Sequence, residues 1–354
     1  MAEYLELLKD LIRTPSFSKQ EAATADLLES YLRKHGAVPQ RIGNNVWSRN
    51  LHFSPEKPTL LLHSHHDTVR PNANYTRDPF AAELGPDGQL YGLGSNDAGG
   101  ALVTLLDTFL HFYARPDLTY NLLFAGGAEE EIGGAGGVAK LLPELPPIDC
   151  AIVGEPTEMH LAIAERGLLV IDGYARGRSG HAAHGHPVNA IFEALPDVQR
   201  LQGFRFERES ALLGPVRVSV TGIETGLQHN VVPGECHFVL DVRVNELYTN
   251  QEVFETLQAA VKSELRARSF RLSSSTIDPE HPLVRVGVAL GQRTYGSPTL
   301  SDQALMPFPT LKMGPGISTR SHQADEFVLV RELEEGRRVY RALLEGVLSG
   351  GVGV

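Results

Sequence analysis

Only two of the 354 residues are cysteine and only one is tryptophan. Two thiols, Cys150 and Cys236, build neither a disulfide framework nor a thiolate metal site. Each lies in an apolar, strand-like run, so both are expected to be buried and reduced. Positive charge is also short. Lys+Arg 32 against Asp+Glu 43 leaves a formal net charge of -11, which repels phosphate backbones and anionic lipid and argues against nucleic acid or a membrane as partner. No uninterrupted apolar run approaches the ~18 residues of a membrane span. Met1 to Asp10 show no basic stretch followed by an apolar one, so a secretory leader is not expected and the cytoplasm is the expected compartment. What remains is ordinary globular composition, 42% hydrophobic and 21% charged, long enough for two or three domains with real cores.

Leu5, Leu8, Leu11 and Ile12 recur at helical spacing. Ser18 with Glu21 reads as a capping box that opens a second helix, which stops at His35-Gly36. Strands over 59–62, 120–124 and 150–153 then alternate with helices over 99–113 and 136–142, and Gly85-Pro86-Asp87-Gly88 centres a hairpin over 81–93. From residue 168 the rhythm becomes strand 168–174, helix 188–201, strands 216–221 and 237–244, helix 252–265 and strand 270–277, the split β-α-β-β-α-β order. Thr249 with Glu252 caps the second of those helices. The expected fold class is therefore α/β: a catalytic domain with a mixed central sheet, residues 1–167 plus 279–354, carrying an inserted ferredoxin-like lid over 168–278. A helix over 332–348 and a Gly-rich end over 349–354 close the chain.

The polar clusters fall at strand ends, where open α/β sheets place their sites. His63-Ser64-His65-His66-Asp67 follows Leu60-Leu61-Leu62, and Asp97 follows a Gly-rich turn before an apolar helix. Glu129-Glu130-Glu131 follows a strand, and three consecutive carboxylates at a buried strand mouth repel one another unless a cation or proton is shared. Glu155 follows Ala151-Ile152-Val153, and Ser321-His322 lies in a loop before the last helix. Imidazole and hard oxygen donors without thiolate suit Zn²⁺, with Co²⁺ or Mn²⁺ as substitutes. An aspartate shared by two such ions would make a two-metal hydrolase, with one further glutamate as base.

These five separated motifs resemble, in order and over nearly the whole chain, the dinuclear zinc deacylases and exopeptidases that include acetylornithine deacetylase, succinyl-diaminopimelate desuccinylase, aminoacylase and carboxypeptidase G-type enzymes. The resemblance implies two Zn²⁺, one held by His65 and Glu155 and one by Glu131 and His322, with Asp97 bridging and a cis peptide after it. Asp67 would support His65, and Glu130 would be the general base; the triple glutamate leaves the register of base and ligand open, and Gly136 at five residues past Glu131 favours Glu130 and Glu131. In the lid, His181 would stabilise the oxyanion across a homodimer, and Asn230 and Arg243 would hold a substrate carboxylate or carbonyl. Gly314 and Arg320 in the loop before His322 are further substrate-binding candidates, Arg320 for a succinyl carboxylate.

The loop from Lys312 to His322 looks most like the acetylornithine deacetylase branch. The expected activity is removal of an Nα-acetyl or Nα-succinyl group from ornithine or citrulline in arginine biosynthesis, with a small N-acyl amino acid as partner. The alternatives are succinyl-diaminopimelate desuccinylase or a dipeptidase of the same family and, from another class, a non-catalytic metal-binding scaffold. Glu130 argues against the scaffold, which needs no base.

Overall fold

The computed structural model describes residues 2–226 and 228–349. Helices α1 (Glu3–Arg13) and α2 (Ala22–Lys34) open the chain. The expected capping box at α2 does not form. The N-cap is Glu21, with no side-chain cap bond, because Ser18 donates its hydroxyl to Asp67 Oδ2 instead (2.7 Å). The other end matches the sequence reading. Gly36 takes φ 79°, Ala37 N–H donates to the Leu32 carbonyl and Gly36 N–H to that of Arg33, both at 3.0 Å, a Schellman closure in which glycine is needed for the left-handed residue.

Strands β1 (Gln40–Ile42), β2 (Asn45–Arg49) and β3 (Thr59–His65), the hairpin β4 (Glu83–Leu84) and β5 (Gln89–Tyr91), helix α3 (Gly100–Phe112), β6 (Asn121–Gly127), α4 (Val138–Leu141), β7 (Cys150–Val153) and β8 (Leu161–Glu165) follow. Then come β9 (Gly167–Arg176), β10 (Gly180–His181), α5 (Ala190–Gly203), β11 (Arg217–Thr225), β12 (Val231–Val232), β13 (Glu235–Val244), α6 (Asn250–Ala260) and β14 (Glu264–Ala267). The last elements are β15 (Ser275–Thr276), α7 (Pro282–Ala289), β16 (Thr294–Ser297), β17 (Thr310–Lys312), β18 (Phe327–Leu329) and α8 (Val330–Leu348). None of the described helices is long and apolar enough to cross a membrane.

Two compact units result, one running to Ile163 and taking in Ile277–Tyr295 and the chain from Ser301 on, the other made of Ala164–Thr276 and Gly296–Leu300. In the first, the central sheet runs β1-β2-β6-β3-β7-β17-β8. Its middle strands β6, β3, β7 and β17 are mutually parallel, while β2 and β8 join antiparallel, so the sheet is mixed. Because the middle strands share a direction, the chain leaves them at one edge, and the residues after β3, β6 and β7 are delivered there together.

Strand alternation sorts the core. Leu60, Leu62, Leu122, Phe124 and Ile152 face a cluster built with α1, α2, α3, α7 and α8, while Leu61, Leu123, Ala151 and Val153 face a second cluster with Val138 and Leu141 of α4. The structure extends β3 beyond the sequence reading. It continues through His63, Ser64 and His65, paired in register from Thr59 opposite Asn121 to His65 opposite Gly127. Those residues are buried, and the ladder supplies the hydrogen bonds their backbones need away from water. Phe124 is fully buried between strand and helices. Phe124→Ala is expected to cost about 3–5 kcal/mol in denaturant unfolding; a loss below about 1 kcal/mol would show the cluster collapsing around the gap.

In the second unit, β11-β13-β9-β14 form an antiparallel sheet, and with α5 and α6 the element order is β-α-β-β-α-β. Alternate residues Cys236, Phe238, Leu240, Val242 and Val244 of β13 are buried with Leu169 and Ile171. The Thr249 capping box forms, Glu252 N–H donating to Thr249 Oγ1 (3.1 Å) and Thr249 N–H to Glu252 Oε2 (2.7 Å). The end of the unit corrects the sequence reading. Helix α6 stops at Ala260 rather than 265, and the closing strand is Glu264–Ala267 rather than 270–277. Asp197 Oδ2 accepts the N–H groups of Lys262 (3.1 Å) and Ser263 (2.7 Å) and turns the chain early, so that Leu265 enters the core. Of the Gly-rich end, residues 350–354 lie outside the described residues.

Candidate metal centre

His65 ends β3 with its side chain buried. Its Nδ1 donates to the Asp67 carbonyl oxygen (3.0 Å), which fixes the tautomer and turns Nε2 toward Asp97 Oδ1 (3.3 Å), Glu155 Oε1 (3.8 Å) and Glu130 Oε2 (3.9 Å). Asp97 sits in the turn before α3, and the Asp97-Ala98 peptide is cis. Its second oxygen, Oδ2, lies 3.5 Å from His322 Nε2, which is 2.9 Å from Glu131 Oε2. Two groups of donor atoms result, His65, Asp97 and Glu155 in one and Asp97, Glu131 and His322 in the other, each within 4.8 Å of one another and sharing Asp97.

The triple glutamate is sorted by backbone geometry. Glu129 takes φ 55°, and its Oε2 accepts the Gly136 N–H (3.1 Å). A Cβ at Gly134 or Gly136 would fall 2.0 or 2.2 Å from the Glu129 carboxylate oxygens, so both must be glycine. Glu129 is thereby turned into its own loop, and Glu130 and Glu131 face the histidines. Asp67 acts differently from the supporting carboxylate expected for His65. Its carboxylate is 3.5 Å from His65 Nδ1, but Oδ1 accepts Glu130 N–H (3.0 Å) and Oδ2 accepts Glu131 N–H (3.2 Å), so it holds the turn that presents both glutamates.

Three further residues escaped the sequence reading. Glu326 is buried and accepts three backbone N–H groups, from Gly94 (3.1 Å), Asn96 (2.8 Å) and Asp97 (2.9 Å), anchoring the turn that carries Asp97. Asn96 ties that turn to the His322 loop: its amide donates to the Ile317 carbonyl (3.1 Å) and to Ser321 Oγ (3.3 Å), and it accepts the Ile317 N–H (3.0 Å). His63 pairs with buried Asp302 (2.6 Å). Their only signal in sequence was proximity to a ligand. His66, an extra candidate in sequence, lies between Thr24 Oγ1 (2.8 Å) and the Asn44 carbonyl (2.9 Å) in the core.

The remaining candidates separate. The Arg320 guanidinium is committed to Glu332, with Nη1 donating to Oε2 (2.7 Å) and Nη2 to Oε1 (3.0 Å), and it lies over the Phe327 ring. A bidentate pair of this kind structures the loop and corrects the assignment of Arg320 to a succinyl carboxylate. Gly314 is buried beneath Glu155, where a Cβ would lie 2.6 Å from the Glu155 carbonyl. Its N–H donates to Thr157 Oγ1 (3.1 Å), which corrects its assignment as a substrate contact. In the second unit, His181 and Asn230 adjoin across β10 and β12, Ala182 N–H donating to the Asn230 carbonyl (2.9 Å). Arg243 lies toward the opposite end of β13 and donates to Asp241 (2.8 and 3.0 Å). Within that unit it is apart from His181 and Asn230.

The centre is short of positive charge. Burial disfavours the Glu130 carboxylate and Glu155, Asp302 and Glu131 add to this against the pull of His65, so Glu130 holds a proton well above the ordinary carboxylate range. Burial disfavours the His65 cation too, yet Glu130, Asp67, Asp97 and Glu155 outweigh it and push the imidazole up. His322 is pushed up to about 9, chiefly by its hydrogen bond to Glu131. Burial, with the charge of Asp97 added, pushes Glu326 up to about 8. The donor set fits two divalent ions: at metal–ligand distances of about 2.0–2.1 Å, tetrahedral ligands stand about 3.3 Å apart, and the histidine–carboxylate separations run from 2.9 to 3.8 Å.

The model of the family "Peptidase family M20/M25/M40" matches residues 61–346. A succinyl-diaminopimelate desuccinylase of Xanthomonas campestris pv. campestris is 28% identical over 98% of this chain and 99% of its own. An M20 family metallo-carboxypeptidase from Sulfolobus solfataricus superposes with a TM-score of 0.76 at 17% identity, covering 98% of this chain and 99% of that one. A dinuclear metal binding peptidase of Bacillus subtilis gives 0.74 at 17%, covering 98% of each.

Proposed function

The chain belongs to peptidase family M20/M25/M40 and is a metal-dependent hydrolase, and from that premise we propose that it removes an N-linked acyl group, succinyl foremost, from an amino acid. The observation that carries the chemistry is Asp97, whose two carboxylate oxygens face one imidazole each. The substrate reading is supported by the desuccinylase named above, similar over almost the full length of both chains. It displaces acetylornithine as the leading substrate and puts succinyl-diaminopimelate in its place.

When two divalent ions are held by these residues, they lower the pKa of a water and polarise a carbonyl. Glu130 lies 3.9 Å from His65 Nε2, at the border of the first donor group without belonging to either group. Its raised proton affinity lets it take a proton from the attacking water and hold it for the departing amine. Asp67 keeps Glu130 in place through the backbone, and Asn96 and Glu326 keep Asp97 and His322 in register. In the second unit, His181 Nδ1 accepts the Ala183 N–H (3.1 Å), which leaves Nε2–H as the donor for a developing oxyanion. We assign that role to His181 in a homodimer joined through this unit, following the resemblance.

The test is amine release by the metal-loaded protein from succinyl-diaminopimelate, succinyl- and acetylornithine, acetylcitrulline and a dipeptide. Succinyl-diaminopimelate is expected to show the highest kcat/KM. A dipeptide or acetylornithine ahead of it by tenfold or more would reassign the substrate within the family.

A further inference from the structure

We propose that a pocket of about 390 Å³ beside the metal centre is a carboxylate-binding subsite, with Arg293 as the residue that receives the distal carboxylate of the substrate. This rests on the N-acyl hydrolase reading above. The pocket is walled by the segment that follows Glu155, with Thr157, Glu158 and His160, by the segment that precedes His322, with Ser318 and Thr319, and by Arg293. Both walls are continuous with residues of the donor groups. They are joined to each other by an antiparallel bridge between Thr157 and Ile317 and by Glu158 N–H donating to the Gly316 carbonyl (2.8 Å), and Ile317 is the residue that Asn96 grips next to Asp97.

Sheet order sets the distance. The Arg293 carbonyl accepts the Leu161 N–H (2.9 Å), so Arg293 stands at the start of β8. β8 is two places from β7, whose end leads to Glu155. At ~4.8 Å per strand that is roughly 10 Å. A carboxylate several bonds from the scissile amide covers that span together with the reach of an arginine side chain, and at ~3.3–3.6 Å for each three extended bonds a six-bond tail supplies about 7 Å of it.

The chemistry is that of an anion site. Arg293 Nη2 points into His160 Nε2 (2.8 Å), and Arg293 has no carboxylate partner among the described residues. One imidazole contact fixes the planar fork and leaves most of its five donors for a ligand. Ser318 and Thr319 add hydroxyls on the facing wall. Glu158, the one carboxylate of the lining, is exposed and makes no ion pair with Arg293. The distal carboxylate has two sources, a succinyl group or the far end of diaminopimelate.

Steady-state kinetics of the two-metal protein, Arg293→Ala and Arg293→Lys on succinyl-diaminopimelate, succinylornithine and acetylornithine test this. Calorimetric binding of succinate and of diaminopimelate to the same proteins gives a readout independent of turnover. Arg293→Ala is expected to raise KM roughly 10- to 100-fold for substrates with the distal carboxylate. kcat and the KM for acetylornithine should stay within about twofold, and Arg293→Lys should recover part of the loss because it keeps charge without the fork. A rise with both succinylated substrates assigns the acyl carboxylate; a rise with succinyl-diaminopimelate alone assigns the amino-acid end; either upholds the subsite. Unchanged KM in Arg293→Ala, or an equal rise for acetylornithine, overturns it. Wild-type protein that cleaves none of the amides sinks the N-acyl reading instead, and the calorimetry then decides the pocket by itself.

Discussion

Glu130→Gln is expected to lower kcat by about 10²–10⁴-fold, the usual yield of a positioned general acid–base group, with both metal ions still bound. The amide keeps the shape of the carboxylate and cannot take the proton. At 1.36 kcal/mol per decade, a thousandfold loss corresponds to about 4 kcal/mol of barrier. Metal content should not fall, because Glu130 belongs to neither donor group, and removing one charge from crowded carboxylates does not weaken the fold of the metal-free protein. Turnover assays paired with metal analysis after dialysis check both halves. Activity above a tenth of wild type would move the base elsewhere. Glu129 is no substitute, since its carboxylate is held by Gly136 and turned away from the histidines.

Asp97→Asn should reduce bound metal from two ions to at most one and activity by more than about 100-fold. Losing an outer partner of a metal ligand already costs about 10–100-fold, and Asp97 is the single carboxylate shared by both groups. The substitution removes the charge and replaces one of the two oxygens, facing His65 and His322, by an NH₂ that donates where an acceptor is required. Chelation supplies the parallel experiment: stripping metal should abolish wild-type turnover, and restoring it at a concentration that fully reactivates the wild type should leave the variant inactive. Two tightly bound ions in Asp97→Asn would exclude the bridging role.

Where legibility failed, the causes were specific. The register of Glu129, Glu130 and Glu131 is set by φ 55° at Glu129 and by Gly134 and Gly136 closing against its carboxylate, a contact between backbone and side chain that no periodicity encodes. Ser18 looked like a cap because its spacing to Glu21 was right; it caps nothing because Asp67, far along the chain, offers a charged acceptor. Arg320 looked available for substrate until Glu332 of α8 came within 2.7 Å. The early turn after α6 depends on Asp197 of α5.

The sequence by itself determined the donor inventory and its order, because imidazoles and carboxylates stand next to short apolar runs, and apolar runs become buried strands whose ends face one edge. It also determined the alternation of elements in both units, since burial follows the periods of strand and helix. Only the tertiary structure decided which carboxylates meet which histidines, what Asp67, Asn96 and Glu326 hold, and which arginine keeps donors for a ligand. Those outcomes depend on residues far apart in the chain that compete for the same donors and acceptors, and that competition is settled only when the strands are side by side.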